Sequence, residues 1–517
     1  MIPLTLSQSP PELRHDSMDK HGYLTDDSLQ LSAAPTAESA RTFASHHEDV
    51  AEDQRLTRWK TRQILYRIDR HVMPIICLLY LLSCIDRSNL GNARHDGLME
   101  DLHMTGKHDY NVALSVFFPF YLIVQIPSNL VLRRVRPSIW IPTLMVLFSI
   151  VTICIAFIKS YASLLVMRCL LGVAEGGIFP GVVYYLTRWY TRYEYGFRIA
   201  IFYSCAVAGS SFNRFIGDAI LEFHGVAGLN SWSWIFILEG LVSLVVAGAS
   251  YWLLHDYPDS SKFLKPSEKK IVTHRLIEDM CHLSDDFKFI HVKSALLDWH
   301  IWVHMVMTVG ISIPLYSIGA FMPYIIDDMG FRDDNAILMA MPPHAAACLV
   351  ILAAGWAADR QRQRGVYIVG FCVVAMVGFA ILGAVDDPVV QYFACFLVCM
   401  GIYPVVEQDI AWNANNIGGS TKLAVGIAMH IGFGNLGGAV AGFVVRHDDA
   451  ERFVSGHGVM LLITGGACLL AVFMSWAVRK ENARRDNVYK SPEAYSVLER
   501  RRHADLGDRA PFFRYTI

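Results

Sequence analysis

The sequence predicts an all-α membrane protein, with twelve transmembrane helices arranged as two six-helix bundles. Three observations predict it. Hydrophobic residues make up 53% of the 517 positions and charged residues only 18%, less charge than a soluble chain of this length carries. Mean hydropathy is +0.34. The apolar residues also gather in long blocks divided by short charged stretches, six blocks on either side of one long polar segment.

The elements follow in chain order. Residues 1–60 mix Ser, Pro, Asp, His and Glu without periodicity and read as a disordered tail. They hold no apolar core of signal-peptide length, so the first span is expected to act as the targeting signal. Apolar blocks at 71–91, 110–132, 138–158, 162–187, 197–221 and 234–255 define a first bundle within 61–255. A polar linker covers 256–298. Blocks at 300–326, 335–358, 366–384, 389–411, 423–445 and 458–478 define a second bundle within 299–478, and a basic tail closes the chain over 479–517. Crossing a bilayer core takes about 20 apolar residues; every block meets that, the ninth narrowly.

Cations in the short loops set the expected orientation. With both tails inside, the inner loops hold Arg133, Arg134, Arg136, Arg188, Arg192, Arg198, Arg360, Arg362, Arg364 and Lys422. The outer loops hold Arg94, Lys107, Lys159, Arg332, Arg446 and Arg452, and ten against six places both termini in the cytoplasm.

Several functional classes fall away. The net charge of -2 lies between the blocks, and no basic domain, aromatic-plus-Arg platform or zinc-finger spacing points to nucleic acid. Ten of the eleven cysteines sit inside apolar blocks and only Cys281 in a polar segment, with no CxxC pair, so no disulfide framework is expected. No His-box, nucleophile–base constellation or cofactor loop suggests an enzyme, a cofactor or a metal site.

Charges inside the blocks carry the functional signal. Burying one in lipid costs roughly 2.5–3.5 kcal/mol even on insertion scales, so such groups face the bundle interior. Block one carries Asp86 and Arg87. Block four carries Arg168 and Glu175, seven residues apart and therefore on one helix face. Two guanidinium groups and two carboxylates make an anion site with its own proton acceptors; the alternative is a set of structural ion pairs, such as Asp86 with Arg168. Arg214 and Asp218 of block five are spaced i, i+4 and can simply pair, so their role stays open. Glu239 reads as interfacial, and His304, His344 and His430 as packed side chains. In the second half Tyr316 and Asn416 are candidate substrate contacts. The amide-rich end of block ten, Glu407 to Asn416, fits helix capping equally well. Gly434, Gly438 and Gly442 form a packing face.

After block eight stand Gly355, Asp359, Arg360, Arg362 and Arg364. Glycine at the end of a span permits close helix approach, and the charges beyond it can lock neighbouring helix ends. The spacing resembles the Gly-x3-Asp-Arg-x3-Arg loop of the major facilitator superfamily. A degenerate copy, Pro127-Ser128-Asn129 followed by Arg133, Arg134 and Arg136, occupies the same place in the first half.

A narrower resemblance rests on Tyr66 to Pro74, Tyr80 to Arg94, Gly97 to Leu102, Arg168 to Gly181, Trp234 to Gly240, Trp412 to Asn416 and Gly434 to Gly438. Over about 60–480 the chain resembles the anion:cation symporter family, in its fungal allantoate permease branch of nicotinate, pantothenate and allantoate carriers. The resemblance implies a major facilitator fold and proton-coupled uptake of a small organic anion, nicotinate-like or another monocarboxylate, by alternating access. It implies that Asp86 and Glu175 carry protons while Arg87 and Arg168 engage the anion. The chain departs from the branch at Gln125, where Glu is usual, at Leu423 after Lys422, and at the cation Arg214. The implied partners are the anion, protons and the lipid bilayer, with no nucleic acid, for a monomer in the plasma membrane. Export of a secondary metabolite and non-transporting nutrient sensing are the alternatives.

Overall fold

The computed structural model describes residues 37–104, 106, 108–220, 225–330, 334–444 and 454–517. Several expectations fall elsewhere. The first 36 residues of the expected tail and Lys107, Arg332, Arg446 and Arg452 lie outside the described residues, as do the side chains of Asn213, Arg214 and Asp218 and the burial of Gly442. The described backbone of the expected tail is helical from Ala37 onward.

No strand occurs among the described residues. Twelve long helices follow one another: α1 (Trp59–Arg94), α2 (Asp109–Arg134), α3 (Pro137–Ile155), α4 (Tyr161–Thr187), α5 (Arg192–Ile220), α6 (Ser231–Leu253), α7 (Trp299–Asp328), α8 (Asp334–Gln361), α9 (Gly365–Ala384), α10 (Pro388–Asn415), α11 (Ser420–Val444) and α12 (Val454–Val488). Eleven of them are long and apolar enough to cross a membrane over their described residues, and α5 stands in sequence as the twelfth.

Local chemistry sets their ends. Pro137 and Pro388 open α3 and α10, where a missing N–H costs nothing. Asp387 accepts from Val389 and Val390 N–H at 2.9 and 3.1 Å, and Asp298 caps α7 through His300 N–H at 3.0 Å. Ser160 and Ser163 close a capping box on α4. Outward-facing side chains are large and apolar, among them Ile123, Leu147, Val245, Leu349, Leu462 and Leu469. In lipid that surface needs no cover, and helix association rests on close packing.

Within the first bundle α3 packs on α6 and α4 on α2 and α3; within the second α9 packs on α10 and α12, α7 on α11 and α12, and α8 on α10. Two seams join the bundles, α2 with α11 and α5 with α8. The linker contributes the helices Pro266–Asp279 and Phe289–Leu296 at the end of the molecule where both seams meet the chain termini of the spans, called here the tail side.

The segment after α12 is not a loose tail. From Ala504 to Ile517 it forms a strap across the tail-side end of the second bundle. Phe512 and Phe513 are buried, Thr516 exchanges backbone hydrogen bonds with the Asn416 amide at 2.6 and 3.0 Å, and Trp412 Nε1 donates to Thr516 O at 2.8 Å. Lys422 binds Asp508 at 2.6 Å, and Arg485 of α12 donates to the carbonyls of Asp508 and Phe513.

Candidate functional site

Glycines on α4 bring its charged face against α2. A Cβ at Gly172 would lie 2.5 Å from Phe117 O, and one at Gly176 2.6 Å from Tyr121 O, so only glycine lets the two backbones come this close. Glu175 therefore arrives beside Tyr121 and opposite α1. Its Oε1 accepts from Arg87 Nε and from Ser83 Oγ, each at 2.5 Å, while Oε2 is buried with no hydrogen-bond partner among the described residues. Arg87 also donates to the Tyr121 hydroxyl at 3.2 Å and lies over that ring, 5.1 Å from its centroid.

Arg168 lies two turns away on the same face. It is buried, donates to Ala113 O at 3.3 Å and stacks 5.3 Å from the Phe117 centroid. No carboxylate pairs with it among the described residues. Asp86 is buried as well, and neither of its oxygens has a hydrogen-bond partner there. The structural alternative of an Asp86–Arg168 pair is therefore not what forms; the observed pair is Arg87 with Glu175.

The four charged residues named from the sequence thus share one buried region between α1 and α4, lined by Phe117 and Tyr121 of α2. Tyr316 reaches it from the second bundle: it borders Arg87, its ring meets Phe118 edge-on at 6.1 Å, and its hydroxyl donates to Asn435 Oδ1 at 2.6 Å. Asn416 does not join them. It is the cap residue of α10 and both polar atoms of its amide are engaged by Thr516. Capping, which the sequence pattern left open, is its observed role.

The loop signature closes the α5–α8 seam on the tail side. A Cβ at Gly355 would lie 2.6 Å from Ala200, so this glycine sets how closely α8 meets α5. Asp359 crosses the seam, its Oδ2 accepting from Phe197 N–H at 2.8 Å, and it binds Arg364. Arg364 is fully buried beneath Gly196 and donates to Gln408 at 3.0 Å. Arg360 stays outside this lock, exposed over the Trp356 ring. The other seam is closed by the degenerate copy: Asn129 donates to Ala424 O at 2.9 Å, and Arg133 binds Thr421 and Ser420 at the start of α11.

Sequence reasoning missed Ser83 and Tyr121. Ser83 stands one turn before Arg87, a usable spacing signal, whereas Tyr121 is one of several aromatic residues in its block, beside Phe117, Phe118 and Phe120. Glu239, read as interfacial, hydrogen-bonds Asn89 of α1. Of the histidines, His344 bonds its own helix at Ala340 O, while His304 and His430 converge on Asp409.

The arrangement can hold an anion at a guanidinium and a proton at a carboxylate between two bundles joined by two seams. The sequence pattern described as Major Facilitator Superfamily matches residues 76–442. The chain belongs to the major facilitator superfamily. Among relatives of this superfamily member, the "MFS transporter prlL" of a fungal species (strain NRRL 50135) is 32% identical over 82% of this chain and 88% of its own length. The high-affinity nicotinic acid transporter of Saccharomyces cerevisiae is 29% identical over 88% of this chain and 84% of its own. In fold, the proton:xylose symporter XylE, solved with 6-bromo-6-deoxy-D-glucose, matches 80% of this chain and 96% of its own with a TM-score of 0.62 at 14% identity. This major facilitator protein is accordingly a multi-pass membrane transporter of twelve helices, and superfamily members are carriers rather than enzymes.

Proposed function

We propose that the protein is a proton-coupled symporter of a small organic anion, a nicotinate-like or other monocarboxylate, of the anion:cation symporter kind. One observation carries the reading: a buried, unpaired guanidinium at Arg168 beside the Arg87–Glu175 ion pair and the unpartnered Asp86. A buried guanidinium with carboxylates nearby but none in contact is costly, and it is satisfied by an incoming carboxylate, which it can hold through two parallel hydrogen bonds. The relative that transports nicotinic acid supports the choice of a monocarboxylate.

In the proposed cycle the face opposite the tail side opens outward. Protons load Asp86 and Glu175, the Glu175 oxygen without a partner being the free position. Neutral Glu175 releases its hold on Arg87, and both guanidinium groups then bind the anion, with Tyr316 closing over it from the second bundle. The bundles rock about the α2–α11 and α5–α8 seams, the tail-side locks at Asp359 and Arg133 part, and deprotonation drives release into the cytoplasm. One proton per monoanion is electroneutral; a second makes uptake voltage-driven, about 2.3 kcal/mol per charge per 100 mV. The protein works as a monomer in the plasma membrane with both tails cytoplasmic.

The test is uptake of a panel of labelled carboxylic acids by carrier-deficient yeast expressing the chain, at acid and neutral external pH, with and without a protonophore. Saturable uptake that is larger in acid and collapses with the protonophore is the expected result. No uptake of any acid by protein shown at the cell surface would refute it and favour metabolite export or nutrient sensing.

A further inference from the structure

The second bundle holds a titratable cluster that the proposed cycle does not use. His304 and Thr308 of α7, Asp409 of α10 and His430 of α11 meet in its interior, and none of the three ionisable side chains is more than 1% exposed. His304 Nδ1 lies 2.6 Å from Asp409 Oδ1, and His430 Nε2 lies 3.0 Å from Asp409 Oδ2. Thr308 Oγ1 bonds both the carboxylate and His430. We propose that this cluster is a second proton-binding site, one that holds its proton on an imidazole and sets the charge of the second bundle.

Donor and acceptor accounting leads there. A carboxylate accepts, so each imidazole turns an N–H toward Asp409. With both rings neutral the cluster keeps one net negative charge inside an apolar bundle, an unfavourable place for it. One further proton, on the His304 ring, makes the cluster neutral. The open position on His304 is Nε2, which is buried and has no hydrogen-bond partner among the described residues.

The neighbouring ionisable groups are mostly engaged elsewhere, although His300 lies near enough to act on His304 and Cys372 near enough to sense Asp409. On α7, His300 is bound to Asp298. On α10, Glu407 is bonded to Gln408, and on α11, Lys422 is held by Asp298 and Asp508. From α9 the nearest titratable side chain is Cys372, which neighbours Cys468 of α12. From α2 comes the uncharged Gln125, against Gly432, and from the linker helix His291 faces Lys422 and Asp505. The three groups lie close enough to close on a cation, all within 4.8 Å, but their ligand atoms already bond one another.

The position gives the proton a consequence. α11 is the second-bundle side of the α2–α11 seam, and the His304 ring meets Trp412 edge-on at 5.0 Å, the same indole that anchors the strap at Thr516. Protonation is thus sensed at a seam and at the strap together, independently of whether Asp86 and Glu175 carry protons.

Trp412 supplies the test, which needs no substrate. Tryptophan fluorescence of the purified full chain in nanodiscs is titrated from neutral to acid pH, and the same titration of Trp412→Phe is subtracted to isolate this indole. An imidazolium at that distance quenches indole emission, so the expected Trp412 component falls through a one-proton transition. The transition is lost in His304→Gln and moves to lower pH in Asp409→Asn, where the stabilising charge is gone. Should Asp409→Asn not fold, His430→Gln is expected to shift the midpoint instead. A Trp412 component that is flat with pH, or that persists unchanged in His304→Gln, would overturn the proposal. So would one that follows added zinc and reverses with a chelator.

Discussion

Glu175 uses one carboxylate oxygen for two bonds and keeps the other free, and this asymmetry determines what its substitution does. Glu175→Gln keeps an acceptor for Ser83 and Arg87 but cannot gain or lose a proton. The expected outcome is loss of pH-driven accumulation with substrate counterflow retained, read by comparing net uptake with exchange in preloaded cells. Arg168→Ala removes the unpaired guanidinium, and losing charged hydrogen bonds worth about 2 kcal/mol lowers apparent affinity roughly thirtyfold or more at unchanged expression; normal uptake by this variant would eliminate the anion site. Asp86, Arg87, Arg168 and Glu175 were legible in the sequence because a charge inside an apolar block has few innocent explanations. Ser83 and Tyr121 were not, because serine and tyrosine are ordinary residues in a span and only the folded geometry shows which ones meet a charge. Asn416 stayed open between substrate contact and capping for a different reason: its partner, Thr516, lies 100 positions on, and no local pattern reports that contact.

Between elements, glycine and one aspartate set how the bundles meet. Gly355→Val places a branched side chain where a Cβ alone would stand 2.6 Å from Ala200, forcing α8 off α5. Overpacking of this kind costs roughly 1–3 kcal/mol, and a lower melting temperature in nanodiscs together with greater labelling of tail-side reporter positions is expected. Asp359→Asn still accepts from Phe197 N–H but loses its charge against Arg364, so it should open the seam while leaving the melting temperature within a degree or two; unchanged tail-side accessibility would contradict the lock. The loop signature made this seam readable in advance, since its residue types state what each does. Arg360 shows the limit: the spacing names it, yet the helix turn it occupies points it at solvent and Trp356. The packing face on α11 was also legible, with Gly434 against Thr308 and Gly438 against Phe118 and Tyr316, whereas Gly437 against Ser312 was overlooked.

For the whole molecule, hydropathy revealed the number and order of the helices but not where they stop. α12 continues to Val488, ten residues past its apolar block, because Arg485 finds strap carbonyls to bond and the backbone stays helical through polar sequence. The strap predicts its own behaviour. Asn416→Ala removes both amide bonds to Thr516, so hydrogen exchange over 508–517 should accelerate while the apparent affinity for substrate stays put. Acid acts on the strap through Asp298, which shares Lys422 with Asp508. Burial alone would raise this carboxyl, but the bonds from His300 and Lys422 outweigh it and hold it well below the usual carboxylate range. A depressed folded-state value contributes stability above the ordinary aspartate range and loses it only as pH falls through the lower folded value. Anisotropy of a fluorophore carried by an unnatural amino acid at the exposed position 509 should therefore stay high through mild acid; release near the ordinary aspartate range would count against this anchoring.

The strap also bears on how such a carrier can be handled. Arg364 N–H donates to Ile517 O at 2.6 Å, so the backbone at that point is seated beside the very residue that locks Asp359. A fluorescent reporter or affinity handle spliced directly behind Ile517 begins inside the lock. Its bulk would bear on the Asp359–Arg364 contact, and a carrier tagged there would report altered transport that belongs to the tag. A handle set off by a long flexible spacer leaves that anchorage alone.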